Sequence, residues 1–253
     1  MALLFGMAIV NPVYASLITS GIATGVGAGI GSSNIILTIQ NTPTEQGCVG
    51  WSGVANVVGS AACPGGLSPA IVGGNEKTGN SQTQTQLVSG TGALSGQSLV
   101  VILNMSEPAG TLFTIGNLSL TIYSPAGAVL YNSGNLFGAS VTENSSLQSQ
   151  GTLGFGFLLD SVQATAISPF ICTNALITGC AGIANAANAN NRIGLAALLT
   201  NTAGGNETFY VADKSNVAIA PFTAIPEPVA YLTIGTGLAF LGLISRLRIG
   251  PRR

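Results

Sequence analysis

Histidine is absent from the 253 residues, and only 15 residues carry charge, 7 basic and 8 acidic. Ser-His-Asp catalysis, imidazole metal ligation and a histidine general base are therefore excluded. Carboxylate and thiol chemistry remain. Glycoside hydrolysis needs two carboxyl groups facing each other across a cleft. Seven lie ahead of residue 221: Glu45, Glu76, Glu107, Glu143, Asp160, Glu207 and Asp213. Asp160, after Phe155-Gly156-Phe157, and Glu207, before Phe209 and Tyr210, are the pair to test. Each also has a plainer use, Asp160 as a helix cap and Glu207 as a strand-edge charge. A calcium site needs clustered oxygen ligands, and no Asp-rich loop of the helix-loop-helix kind is present. Asn188, Asn190 and Asn191 offer only neutral carbonyls. No metal, cofactor or enzymatic activity is expected.

The thiols form two local pairs, Cys48 with Cys63 and Cys172 with Cys180. Zinc sites use close ligand pairs, such as two cysteines separated by two residues, and neither spacing fits. Four cysteines allow three connectivities, and in an oxidising compartment the two local bridges are favoured. Closing the first loop would contribute about 3 kcal/mol in the chain-entropy account. Trp51, the sole tryptophan, lies inside that loop. It serves either as the plug of a small core or as a platform for a sugar ring, with Tyr123, Tyr131 and Tyr210 as candidate companions.

These residues need a scaffold, and composition narrows its class. A net charge of -1 leaves no basic stripe for a nucleic-acid backbone. Charged residues make up 6% of the chain, against roughly 25% in ordinary soluble domains. A mean hydropathy of +0.54 is the reverse of the charge-rich signature of disorder. An exported or membrane-attached protein is left.

Four of the seven basic residues, Arg246, Arg248, Arg252 and Arg253, fall in the last eight positions. Before them Val229 to Ile244 is apolar and free of charge. Sixteen residues make roughly 24 Å of helix, enough to cross a bilayer that thins or is met by snorkelling arginines. A transmembrane helix is expected over residues 229–245, with residues 246–253 as a basic tail held inside by its charge. At the other end Ala2 to Val10 is apolar, and Val13-Tyr14-Ala15 before Ser16 has the small residues of a signal-peptidase site, although no basic residue precedes the apolar stretch. Residues 1–15 are read as a signal peptide.

Pro226-Glu227-Pro228, a short hydrophobic helix and a terminal arginine cluster, in that order, resemble the PEP-CTERM sorting signal of Gram-negative bacteria. The resemblance covers residues 226–253. It implies that Pro226, Glu227 and Pro228 are recognised by exosortase, a polytopic membrane enzyme taken to cut near the tripeptide and pass the protein to the cell surface. Two prolines keep this segment extended, so its backbone is accessible to an enzyme.

Residues 16–33 are Gly/Ala/Ser-rich and read as a flexible leader. From Asn34 the hydrophobic period is two: Ile35, Leu37 and Ile39; Leu118, Leu120 and Ile122; Phe155, Phe157 and Leu159; Ile193, Leu195, Ala197 and Leu199. Leu99 to Leu103 is a continuous apolar run fit for a central strand, and Thr208 to Ala212 reads as another strand. Ser124-Pro125-Ala126-Gly127 predicts a hairpin turn. Asp160 predicts an N-cap for a short helix to Ile167 stopped by Pro169, and residues 182–191 read as a loop.

Together these predict an all-β, antiparallel β-sandwich or jelly-roll-like ectodomain over residues 34–222. A linker over residues 223–228 and one C-terminal transmembrane helix follow. The expected function is that of an exported structural or adhesive protein, first anchored in the inner membrane and then located at the cell surface or in the extracellular matrix. Its expected partners are the secretion machinery, exosortase and the inner membrane, and no nucleic acid. A polysaccharide-binding module with the same sorting is the first alternative, and a secreted glycoside hydrolase the second.

Overall fold

The computed structural model describes residues 18–24, 34–59, 71, 73–79, 82–92, 95–136, 140–145 and 153–220. The signal peptide, Cys63, the Pro226-Glu227-Pro228 motif, the expected transmembrane helix and the terminal arginines lie outside them. Among the described residues no helix is long and apolar enough to cross a membrane.

The described chain is all-β in class and forms two antiparallel sheets. The first contains, from edge to edge, β13 (Ala218–Ala220), β1 (Ile18–Thr24), β10 (Leu153–Leu158), β6 (Leu99–Asn104), β12 (Glu207–Asp213) and β2 (Asn34–Ile39). The second runs β4 (Asn56–Val58), β3 (Thr44–Trp51), β11 (Arg192–Thr200), β7 (Leu112–Tyr123) and β8 (Val129–Asn132). Two short strands complete it, β5 (Gln86–Leu87) on β11 and β9 (Val141–Asn144) on β7. The sheets meet through their apolar faces. Phe113 of β7 sets its ring edge to Phe155 of β10 at 5.5 Å, and both rings are fully buried.

The continuous run Leu99–Leu103 forms the central strand β6, hydrogen-bonded to β10 on one side and β12 on the other. A central strand buries both faces, which is why its residues do not alternate. In β11 the period-two residues Ile193, Leu195, Ala197 and Leu199 are all buried, and Gly194 and Ala196 between them are buried as well. In β7 the alternate residues Asn117, Ser119 and Thr121 are buried as well, so a strand whose pattern suggests one wet face has none. Part of the cover comes from β8, whose Asn132 donates its side-chain amide to Thr121 Oγ1 at 2.9 Å.

The Ser124–Gly127 hairpin forms as predicted. Ser124 N–H donates to the Ala128 carbonyl at 2.8 Å, and Gly127 has φ 86°. Glycine is required there twice over, because a Cβ would also lie 2.4 Å from the Ser52 carbonyl carbon in the turn between β3 and β4.

Two expectations need correction. Ile18–Thr24, placed in a flexible leader on composition, form strand β1 between β10 and β13. Small residues do not prevent a strand when two neighbours supply the ladder bonds. The helix α1 (Ser161–Ile171) runs through Pro169 instead of stopping before it. Proline removes only the bond to the Thr165 carbonyl, while the end of the helix is capped from elsewhere. Asn188 Nδ2 donates to the Pro169 and Cys172 carbonyls, each at 2.9 Å, and Asn191 Nδ2 donates to the Phe170 carbonyl at 2.8 Å. The Asn-rich segment is thus a helix cap, and Ala186–Asn190 form a 3-10 turn. At the other end Asp160 Oδ1 accepts from the amides of Val162 and Gln163 at 2.9 and 2.8 Å. Asp160→Ala should lower unfolding stability by about 1 kcal/mol, read as a shift in the urea midpoint; an unchanged midpoint would contradict the cap.

Cys172 and Cys180 are joined, closing the chain that leaves α1. Cys48 is also disulfide-bonded.

Candidate metal centre

One end of the two sheets gathers three carboxylates. Glu45 is the second residue of β3, on the face shared with Gly47 and Val49. An inward position is evident because a Cβ on Gly47 would strike Ile39 of the opposite sheet at 2.6 Å. Glu207 opens β12, on the face of the fully buried Phe209 and Val211. Glu107 follows β6 by three residues. Glu45 and Glu207 are 0% exposed and Glu107 is 4% exposed. One carboxylate oxygen from each lies within 4.8 Å of the others.

The connections around this end hold the three in place. Thr202 N–H donates to the Pro43 carbonyl at 3.1 Å, and Thr42 Oγ1 donates back to the Thr202 carbonyl at 3.1 Å, tying the β2–β3 link to the β11–β12 link. Ala203 N–H donates to both oxygens of Glu107 at 2.9 Å. The β11–β12 link can lie this close to Glu107 because residue 205 is glycine. A Cβ there would sit 2.4 Å from the Ser106 carbonyl oxygen.

The electrostatics are unusual for a protein interior. Among the described residues the oxygens of Glu45 and Glu207 meet no donor in good geometry, nor does the buried hydroxyl of Thr202 have a partner; the Glu207 carboxyl instead faces those of Glu45 and Glu107. The Thr202 hydroxyl and the Asn41 amide are turned toward Glu45 without completing that geometry. Burial pushes the Glu207 carboxyl up to about 11, with the adjacent Glu45 and Glu107 adding to the effect, and burial also raises Glu45. Among the described residues no cation acts on either carboxyl. Two full negative charges no more than 4.8 Å apart repel by roughly 3 kcal/mol or more at an effective dielectric of about 20. The cluster must therefore either retain protons or surround a positive ion. Its donors are all hard oxygens, with neither thiolate nor imidazole among them.

Sequence reading weighs only a local Asp-rich loop and the Asn188–Asn191 segment as calcium ligands, and does not bring together the three carboxylates of this cluster. Its members lie at positions 45, 107 and 207, so no local motif announces them. The one legible signal was parity, since Glu45 and Glu207 each fall on the inward phase of their strand.

The other candidate residues are placed separately. Asp160 caps α1 and does not join Glu207 in the cluster. Trp51 donates its indole N–H to the Pro125 carbonyl at 2.9 Å, and the Arg192 guanidinium covers one face of its ring at 3.8 Å. Arg192 is itself held by Thr85, whose carbonyl and hydroxyl accept from Nη1 at 3.3 and 3.1 Å. Tyr131 stacks on Phe170, while Tyr123 and Tyr210 are buried. Asn188 and Asn191 are committed to the helix cap described above.

Comparison with protein-family models, with curated proteins and with solved structures finds no match to this chain.

Proposed function

We propose that this chain is an exported bacterial envelope protein with a structural or adhesive role. Its β-sandwich ectodomain is delivered by a C-terminal sorting signal that exosortase reads. The observation that carries the reading is the order Pro226-Glu227-Pro228, Val229 to Ile244, then Arg246, Arg248, Arg252 and Arg253. The tripeptide is the recognition element, and the apolar run with its arginines is the stop that holds the precursor in the inner membrane. The bonded cysteines support an oxidising compartment. A polysaccharide-binding role has less support, because a sugar platform needs a free aromatic face and Arg192 lies over Trp51. A hydrolase would need a partner carboxyl for Asp160, which is engaged at the helix N-terminus.

Deleting residues 226–228 should leave the full-length precursor in the inner-membrane fraction of the native host. The wild-type chain should appear at the surface or in the medium with its terminus removed, as read by mass spectrometry. Surface delivery of the deletion variant at the wild-type level would overturn the sorting role.

A further inference from the structure

We propose that Glu45, Glu107 and Glu207, with the hydroxyl of Thr202, bind one calcium ion that ties the two sheets together at this end of the fold. The inference does not depend on the export reading. Glu45 belongs to the second sheet, Glu207 to the first, and Glu107 to the segment leaving the first. An ion held by all three links β3 of the second sheet to β12 of the first, two strands that share no ladder.

The donor set and its spacing select the ion. Calcium takes 6–8 oxygens at 2.3–2.6 Å, so pairs of its ligands lie about 3.4 to 4.8 Å apart, depending on whether they are adjacent or opposite. The three carboxylate oxygens, all within 4.8 Å of one another, fall inside that limit. Three carboxylates can present up to six oxygens and Thr202 a seventh, which meets the coordination number. Magnesium fits poorly, since it requires a tighter octahedron and retains several waters, and residues at 0–4% exposure leave little room for them. Zinc and copper favour nitrogen and sulfur donors, which are absent.

The second observation comes from a side chain that is not itself acidic. Thr202 is 4% exposed, its hydroxyl has no hydrogen-bond partner, and it is turned toward Glu45. A buried hydroxyl ordinarily finds a partner, and a cation between Thr202 and the carboxylates would supply one. The same ion would satisfy the four unpartnered oxygens of Glu45 and Glu207 and offset their mutual repulsion. The Ala203 amide on Glu107, and the Asn41 amide facing Glu45, are suited to orienting carboxylate ligands from behind.

The test uses the full-length chain, purified in mild detergent and stripped with a chelator, then titrated with calcium chloride alone. Calorimetry should show one saturable site with Kd of about 1 mM or tighter. Calcium at a hundredfold excess over Kd should raise Tm by roughly 5–10 °C, and magnesium at the same concentration by less than half of that. Glu107→Gln and Glu207→Gln should each weaken binding at least tenfold and remove most of the Tm rise. Glu143→Gln, outside the cluster, should leave both unchanged. Glutamine keeps the shape and removes charge, so the stripped variants should be at least as stable as the stripped wild type, as checked by circular dichroism. Absence of calcium heat and of any Tm change in the wild type would overturn the site. So would binding that survives both substitutions undiminished, which would locate the ion elsewhere.

Discussion

Phe155→Ala should lower unfolding stability by about 3–5 kcal/mol, the largest loss expected from any single truncation in this core. Phe155 is 0% exposed on β10, with Ile22 of β1 on one side and Leu103 of β6 on the other. Its ring also crosses to the opposite sheet, meeting Phe113 at 5.5 Å and 66°. Truncation therefore removes buried apolar area, leaves a cavity between two sheets that cannot collapse freely, and abolishes an aromatic contact of about 1 kcal/mol. Against a typical total of about 5–15 kcal/mol, that is a large fraction. Urea denaturation should show a lower midpoint with an unchanged slope. A loss below about 1 kcal/mol would mean that the two sheets do not meet at this ring. Phe155→Leu, which refills part of the space, should lose less.

Gly96→Ala should cost about 3 kcal/mol or more, although it adds a single methyl group. A Cβ on residue 96 would lie 1.9 Å from the Ala164 carbonyl oxygen and 2.5 Å from its carbonyl and α carbons. All three are backbone atoms of α1, so no side-chain rotation relieves the clash. The turn at residues 95–98 and the helix are also joined by Ser168, whose Oγ accepts from Gly96 N–H at 2.9 Å and donates to the Ala164 carbonyl at 2.6 Å. Moving the helix to admit the methyl group breaks a buried hydrogen bond as well as the packing. Gly79→Ala is the matched control. Its nearest contact would be an ordinary 3.5 Å to the Gln82 side chain, so its stability should change by less than about 1 kcal/mol, in the favourable direction if the unfolded chain loses entropy. Equal stability of the two variants would contradict the close approach of turn and helix.

Strand pattern was the most legible part of this fold. Ile193 to Leu199, Leu118 to Ile122 and Phe155 with Phe157 declare their inward phase through neighbours two residues apart, because alternation is a property of the extended backbone itself. The Ser124–Gly127 turn and the Asp160 cap were legible for a related reason, since each satisfies its own adjacent amides. Harder to read were features whose partners are distant in sequence. Ile18–Thr24 form a strand because β10 and β13 lie beside them, and nothing in a run of small residues signals that. Pro169 sits inside a helix because Asn188 and Asn191, about twenty residues later, cap its carbonyls. The contacts that hold Trp51, the Pro125 carbonyl and the Arg192 guanidinium, likewise come from far along the chain.

The amino-acid sequence by itself determined the all-β class, the central position of Leu99–Leu103 and the resemblance at residues 226–253, and it favoured, among three connectivities, the local pairing of Cys172 with Cys180. Each depends on residues within a few positions of one another. Only the tertiary structure decided that Glu45, Glu107 and Glu207 meet, with Thr202 beside Glu45. Carboxylates 62 and 100 residues apart are brought within 4.8 Å by the ladder that places β12 beside β6 and by links that bind the ends of opposite sheets. That proximity is a consequence of how the strands assemble, and local composition does not encode it.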